Sequence, residues 1–132
     1  LNILAGAVFL DALVTGDAVR LGRVGPKPVG SSPRTLLFSA DWRPPGLANT
    51  SFNLGVAHSG DIVATRDNQA EIPARTTVDI GMRYRLQMAG GNTTLRAQIR
   101  NITDEYGFSL RGSGAFGVTT GRVASLSLTA DF

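Results

Sequence analysis

Six stretches of this chain alternate apolar and polar residues with a period of two: Asn2–Phe9, Thr35–Arg43, Ser51–Ser59, Thr76–Gln87, Thr93–Asn101 and Arg122–Phe132. Successive strand residues point to opposite faces of a sheet, so this period specifies strands, and no stretch carries the 3.6-residue period of a helix. The chain is therefore expected to be all-β. Each stretch is about 8–12 residues long, longer than the usual ~5–6 of a globular strand. The connections run long, short, long, short, long, with short turns PPGLAN and MAGGN between Gly/Pro-rich segments. That alternation is expected of an antiparallel up-and-down meander with unlike ends.

Sorting each strand by parity separates charge from hydrocarbon. One face reads Ile3, Ala5, Ala7, Phe9; Leu36, Phe38, Ala40, Trp42; Phe52, Leu54, Val56, His58; Val78, Ile80, Met82, Tyr84, Leu86; Leu95, Ala97, Ile99; Ala124, Leu126, Leu128, Ala130, Phe132. The opposite face takes the strand charges, among them Asp41, Asp79, Arg83, Arg85, Arg96 and Arg100. A soluble sandwich also has one apolar face per strand, so alternation alone leaves a water-soluble sheet open.

Three features favour a membrane barrel. Trp42, Phe52 and Tyr84 gather at the short-turn end of the apolar face and Phe9 at the long-loop end, as aromatic girdles do at two interfaces. Roughly ten residues rising ~3.3 Å each, at a tilt of ~45°, cover ~23 Å, close to the ~25 Å apolar band of an outer-membrane barrel. The last stretch, SLSLTADF, keeps its alternation to the terminal Phe132, as a strand paired along its whole length would. Six strands are too few to close such a barrel, which starts at about eight. Either earlier strands precede residue 1 or several copies assemble into one barrel, and the opening LNILAGAVFL, which has no initiator Met and no signal-peptide layout, favours the expectation of earlier strands.

Composition limits other classes. The formal charge is +3, but basic and acidic residues are interspersed without a Lys/Arg run, which argues against a nucleic-acid partner. With no Cys and one His, thiolate sites, metal-ligand clusters and a nucleophile–His pair have no basis in the sequence. Asp104 and Glu105 are adjacent, so they point apart in an extended segment and make a poor acid/base pair. No catalytic residue, resident metal or cofactor is expected.

The chain resembles the TonB-dependent outer-membrane receptors of the ferric-siderophore type. The likeness lies in AGAVFLDALVTGDAV (5–19) followed by VGPKPVG (24–30), in IPARTTVDIGMRYRL (72–86), in LRAQIRNITDEYGF (95–108) and in GRVASLSLTADF (121–132). Asn101, Asp104 and Tyr106 look like the family's Asn-x-x-Asp-x-x-Tyr element, with Tyr106 one residue early. The resemblance implies a 22-stranded barrel of which residues 1–132 are the last six strands, the plug domain and its TonB box lying outside them. It implies a receptor that takes up a scarce ligand, usually a ferric chelate, with work from the TonB complex, and not an enzyme. It also implies that Phe132, with Leu128 and Leu126, is the signal read by the barrel-assembly machinery.

Two rivals stay open on the sequence: a passive porin-like barrel and a soluble all-β binding module. Within the barrel reading, the charged face lines the lumen, either as a hydrated wall or as a contact for a plug or an anionic ligand. Arg34 and Arg122 sit at the loop ends of their strands, where lipopolysaccharide phosphate is a candidate partner. Loops 11–33, 60–74 and 103–121 form part of the ligand mouth, with Tyr106, Phe108 and Phe116 as candidate contacts.

Overall fold

The computed structural model describes residues 1–88 and 91–131. Its main element is a six-stranded antiparallel sheet built from β1 (Asn2–Phe9), β2 (Arg34–Trp42), β3 (Thr50–Ser59), β6 (Arg75–Met88), β7 (Gly91–Arg100) and β10 (Val123–Asp131). They pair in the order β1-β2-β3-β6-β7-β10, so each lies beside the one that precedes it in the meander. All six expected strands are present, with ends within two residues of the expected ones. Between them lie elements the alternation did not announce: a four-residue helix α1 (Asp17–Arg20) and two small hairpins, β4 (Ile62–Val63) with β5 (Glu71–Ile72), and β8 (Phe108–Gly112) with β9 (Ala115–Val118).

The turn from β2 to β3 shows how sequence fixes a short connection. In Pro44-Pro45-Gly46-Leu47 the Leu47 amide donates to the Pro44 carbonyl at 3.2 Å, and Gly46 has φ +85°. Pro at the second position and a positive-φ residue at the third are what a type II turn requires, and glycine takes that φ without steric cost.

Register carries the parity sorting intact across all five ladders. Ala5 faces Phe38, Phe38 faces Val56 and Val56 faces Val78; further on, Ile80 faces Ile99 and Ile99 faces Ala124. A single-residue slip anywhere would move a strand's apolar set to the other face, and none occurs.

The usual complement of a sheet's apolar face is a second layer. Here, among the described residues, no large side chain is fully buried, and the buried hydrophobic residues are Val63, Ala64 and Ile72, all in one loop. Phe38 and Leu54, in the middle of inner strands, are each 37% exposed, and Leu126 on an edge strand is 74% exposed. The central strands are partly shielded only by their lateral neighbours. A sandwich within one chain would have covered these positions with another sheet.

Candidate functional site

The charged face is concave. A hollow of about 340 Å³ is lined, among others, by Asn2, Ser39, Asp41, Asn53, Asp79 and Gln98; these six come from five consecutive strands and share one parity. One hollow reaches side chains of five adjacent strands when the sheet curls toward that face. The concave face is not uniformly polar. Leu4, Val8 and Leu37 belong to it by register and are 73%, 61% and 57% exposed, giving its β1–β2 sector an apolar floor. Sequence sorting missed this sector because the alternation in β1 is between two kinds of apolar residue.

All six charged residues assigned to this face lie on it, in two environments. Asp41 takes an ion pair with Arg43 at 3.5 Å, and Asp79 accepts the Asn101 amide at 2.8 Å. The arginines are different. Arg83 stands directly across from Arg96, flanked by Ser51 on one side and Ser127 on the other; Arg85 faces Thr94, and Arg100 faces Val123. Among the described residues, none of the ion pairs involves Arg83, Arg85, Arg96 or Arg100.

On the convex apolar face, Trp42 and Phe52 are register partners with ring centroids 6.0 Å apart. Tyr84 lies two residues beyond Met82, the partner of Phe52, so three of the four girdle aromatics meet at the short-turn end. Phe9 is at the opposite end, facing Arg34 and 76% exposed. His58, on the same face, places Nδ1 2.9 Å from the Thr76 hydroxyl, which satisfies one ring nitrogen beside an apolar surface. Leu126 and Leu128 line up on the outer surface of β10, and Phe132 lies outside the described residues.

The Asn-x-x-Asp-x-Tyr element forms a clasp. Asn101 is 5% exposed and has φ +52°, a left-handed conformation that asparagine tolerates better than most residues. Its Nδ2 donates to the Glu105 carbonyl at 2.8 Å and to the Thr120 carbonyl at 3.4 Å. Its Oδ1 accepts from the Glu105 amide at 3.1 Å and the Thr103 hydroxyl at 3.2 Å. Asp104, also at positive φ, accepts the Arg122 amide at 2.7 Å and pairs with its guanidinium at 3.7 Å. The Tyr106 ring lies over Gly121 so closely that a Cβ there would be 2.7 Å from it. The element thus ties the exit of β7 to the entry of β10 and shapes the base of the last long loop.

A second clasp was not legible in the sequence. The Lys27 amide donates to Asn68 Oδ1 at 2.7 Å, and Asn68 Nδ2 returns a bond to the Lys27 carbonyl at 2.9 Å. Gly25 is required there, since a Cβ would fall 2.2 Å from Asn68 Cγ. Gly30 and Ser31 pair with Val63 through backbone bonds of 2.8 and 3.1 Å, and the Gly114 amide reaches the Ala64 carbonyl at 3.0 Å. The three long loops are thereby fastened into one cap around Val63, Ala64 and Ile72. Beneath it a cavity of about 600 Å³ is lined by Ile72, Arg75, Glu105, Tyr106, Phe108 and Thr119, among others. Phe116 instead packs edge-on against Phe108, with centroids 6.3 Å apart.

No protein-family model matches the chain. The ferrichrome receptor FcuA of Yersinia enterocolitica is 31% identical to it over 134 residues, covering 99% of this chain and 17% of that receptor. The crystal structure of BauA, the ferric preacinetobactin receptor from Acinetobacter baumannii, superposes with a TM-score of 0.78 at 22% identity, over 98% of this chain and 20% of BauA. The chain therefore spans about a fifth of the length of the proteins it matches. A meander with one bare apolar face and the clasp at Asn101 thus go with likeness in sequence to a stretch of a ferrichrome receptor and likeness in fold to a stretch of a ferric preacinetobactin receptor.

Proposed function

We propose that residues 1–132 form the C-terminal part of a transmembrane β-barrel in the bacterial outer membrane, and that the whole receptor takes up a ferric siderophore or a similar scarce ligand by TonB-dependent transport. The observation that carries the membrane reading is the bare apolar face, continuous over six strands and framed by aromatics at both ends. In water such a face and the outer edges of β1 and β10 would drive aggregation. In a bilayer, hydrocarbon covers the face and further strands satisfy the edges. In this reading the sheet belongs to a 22-stranded barrel, Phe132, Leu128 and Leu126 are read by the assembly machinery, and a plug domain outside this chain engages TonB. The concave polar face lines the lumen. The cap of interlocked loops faces outward and offers a held, semi-rigid mouth whose cavity combines Arg75 with Tyr106 and Phe108. Ferrichrome and ferric preacinetobactin, the chelates for which the two similar receptors are named, set the chemical range to test first.

The experiment is uptake of radioactive iron from a panel of ferric chelates, in cells with and without the full-length receptor and with and without TonB. Saturable uptake of one chelate that disappears when either component is removed is the expected result. Uptake that persists without TonB and rises linearly with concentration identifies a passive pore instead.

A further inference from the structure

The three long loops, 11–33, 60–74 and 103–121, meet at two residues of the middle one. Val63 accepts the Gly30 amide at 2.8 Å and donates its own amide to the Ser31 carbonyl at 3.1 Å. Ala64 donates to the Ala70 carbonyl at 2.9 Å within its own loop and accepts the Gly114 amide of the last loop at 3.0 Å. Val63 and Ala64 are 3% and 0% exposed, and buried main-chain groups are costly to leave unpaired. Neither outer loop can lift away without stranding a partner on this pair. Asn68 fixes the middle loop to the first at a second point. It stands at φ +58° in a turn braced from within, where its amide donates to the Thr65 carbonyl at 3.1 Å and the Ala70 amide to the Thr65 hydroxyl at 3.1 Å. Its carboxamide meets both main-chain groups of Lys27, as an adjoining strand would, and Nδ2 also returns to the Thr65 carbonyl at 3.2 Å. Beside it the Gly25 amide donates to the Arg66 carbonyl at 2.7 Å.

We infer that the three loops are one cooperative unit, latched by Asn68 and keyed on Val63 and Ala64, so that the cap opens as a whole and does not yield loop by loop. Local opening in proteins runs in contiguous units held by shared bonds, and here the shared bonds all pass through the middle loop. Among the described residues the first and last loops exchange no main-chain hydrogen bond. Their one close approach at Gly30 is loose, since a Cβ there would only touch Leu110 at 3.6 Å. Any effect of Asn68 on Gly114 must therefore travel through Val63 and Ala64, which makes the coupling specific and measurable. The consequence lies in the cavity beneath the cap. Gly30 from the first loop, Ile62 and Ile72 from the second, and Phe108 and Leu110 from the third all wall it. Its shape is then kept or lost as one event. The inference rests on the proposed function only in treating this cavity as part of a mouth; the coupling itself holds with or without transport.

The test is amide hydrogen exchange in the full-length receptor, resolved to the amides of Gly30, Ala64 and Gly114, none of which bonds to Asn68. Asn68→Gly keeps the positive φ without strain and removes both bonds to Lys27. At roughly fivefold in the opening constant for each bond, opening should rise roughly 30-fold. The rise is expected by the same factor at all three amides. Asn68→Asp keeps an acceptor for the Lys27 amide and should give a smaller rise, again equal at the three. A rise confined to residues 24–31, or one that moves Gly30 and Ala64 and leaves Gly114 unchanged, overturns the inference. If neither variant assembles, the unaltered receptor in increasing urea decides: the opening free energies of the three amides should fall with one common slope, and three separate slopes overturn it. Iron uptake by the unaltered receptor, measured alongside, tests the transport reading separately.

Discussion

Replacing Asn101 should loosen the base of the last long loop by an amount that can be worked out from its contacts. The side chain forms two bonds with Glu105, at 2.8 and 3.1 Å, and two longer ones with Thr103 and Thr120. Asn101→Ala breaks all four and leaves both the amide and the carbonyl of Glu105 without a partner. At ~1 kcal/mol for each of the two better bonds, the hydrogen-bond loss is ~2 kcal/mol. The φ of +52° adds a backbone cost of ~1 kcal/mol for alanine, which asparagine and glycine largely escape. Asn101→Gly should therefore cost ~2 kcal/mol and Asn101→Ala ~3 kcal/mol. At ~1.4 kcal/mol per factor of ten, the local opening constant rises roughly 30-fold for glycine and more than 100-fold for alanine. Amide hydrogen exchange on the full-length receptor, followed in peptides covering Ile102–Glu105 and the start of β10, reads this directly. Arg122 should lose protection along with Glu105, because its amide is held by Asp104. Protection changed by less than threefold, or glycine as disruptive as alanine, would refute the assignment of Asn101 as the clasp.

Three further substitutions test separate parts of the structure. Phe38→Arg puts a charge at mid-strand on the apolar face and should cost ~2–4 kcal/mol if that face meets bilayer hydrocarbon. Ser39→Arg, one residue on and facing the hollow, should be nearly neutral; folded receptor surviving protease in outer-membrane fractions gives the comparison. In the cap, the Thr65 hydroxyl and then the Gln69 amide hold the Asp67 carboxyl below its ordinary value of 3.8. A depressed carboxylate stabilises the turn above ~pH 4 and loses that contribution as pH falls through its folded value. Protection of the Gln69 amide, corrected for intrinsic rate, should therefore hold above about pH 4 and decline below it, and Thr65→Val should shift that decline upward.

The sheet was legible because its signal is local and repeated. Alternation placed all six strands, and the side chains that parity sorted to a face lie on the face where register puts them. Leu4, Val8 and Leu37 were not legible as concave-face residues, since period two is silent where both faces are apolar. The loops resisted for a different reason. The bond between Lys27 and Asn68 spans 41 residues, and nothing in VGPKPVG or TRDNQAE names the other as partner. The hairpins Ile62–Val63/Glu71–Ile72 and Phe108–Gly112/Ala115–Val118 are too short to show a period, and they exist because the cap holds them. The NITDEY stretch was visible as a family element, but its work depends on two positive-φ residues and on Thr120, Gly121 and Arg122 returning beside it. The pairing of Arg83 with Arg96 and the buried Nε of Arg83 needed the assembled sheet.

The claim on which the rest depends is that hydrocarbon covers the convex face. The chain has no cysteine, so single cysteines at Ser125, Leu126, Ser127 and Leu128 can carry spin labels in the full-length receptor in lipid, provided no other part of that receptor supplies a reactive thiol. Collision with dissolved oxygen, which concentrates in the bilayer, and with a water-soluble nickel chelate should alternate along β10. Leu126 and Leu128 should favour oxygen, and Ser125 and Ser127 the chelate. A reversed phase, or equal chelate access at all four positions, would contradict the membrane placement of this sheet.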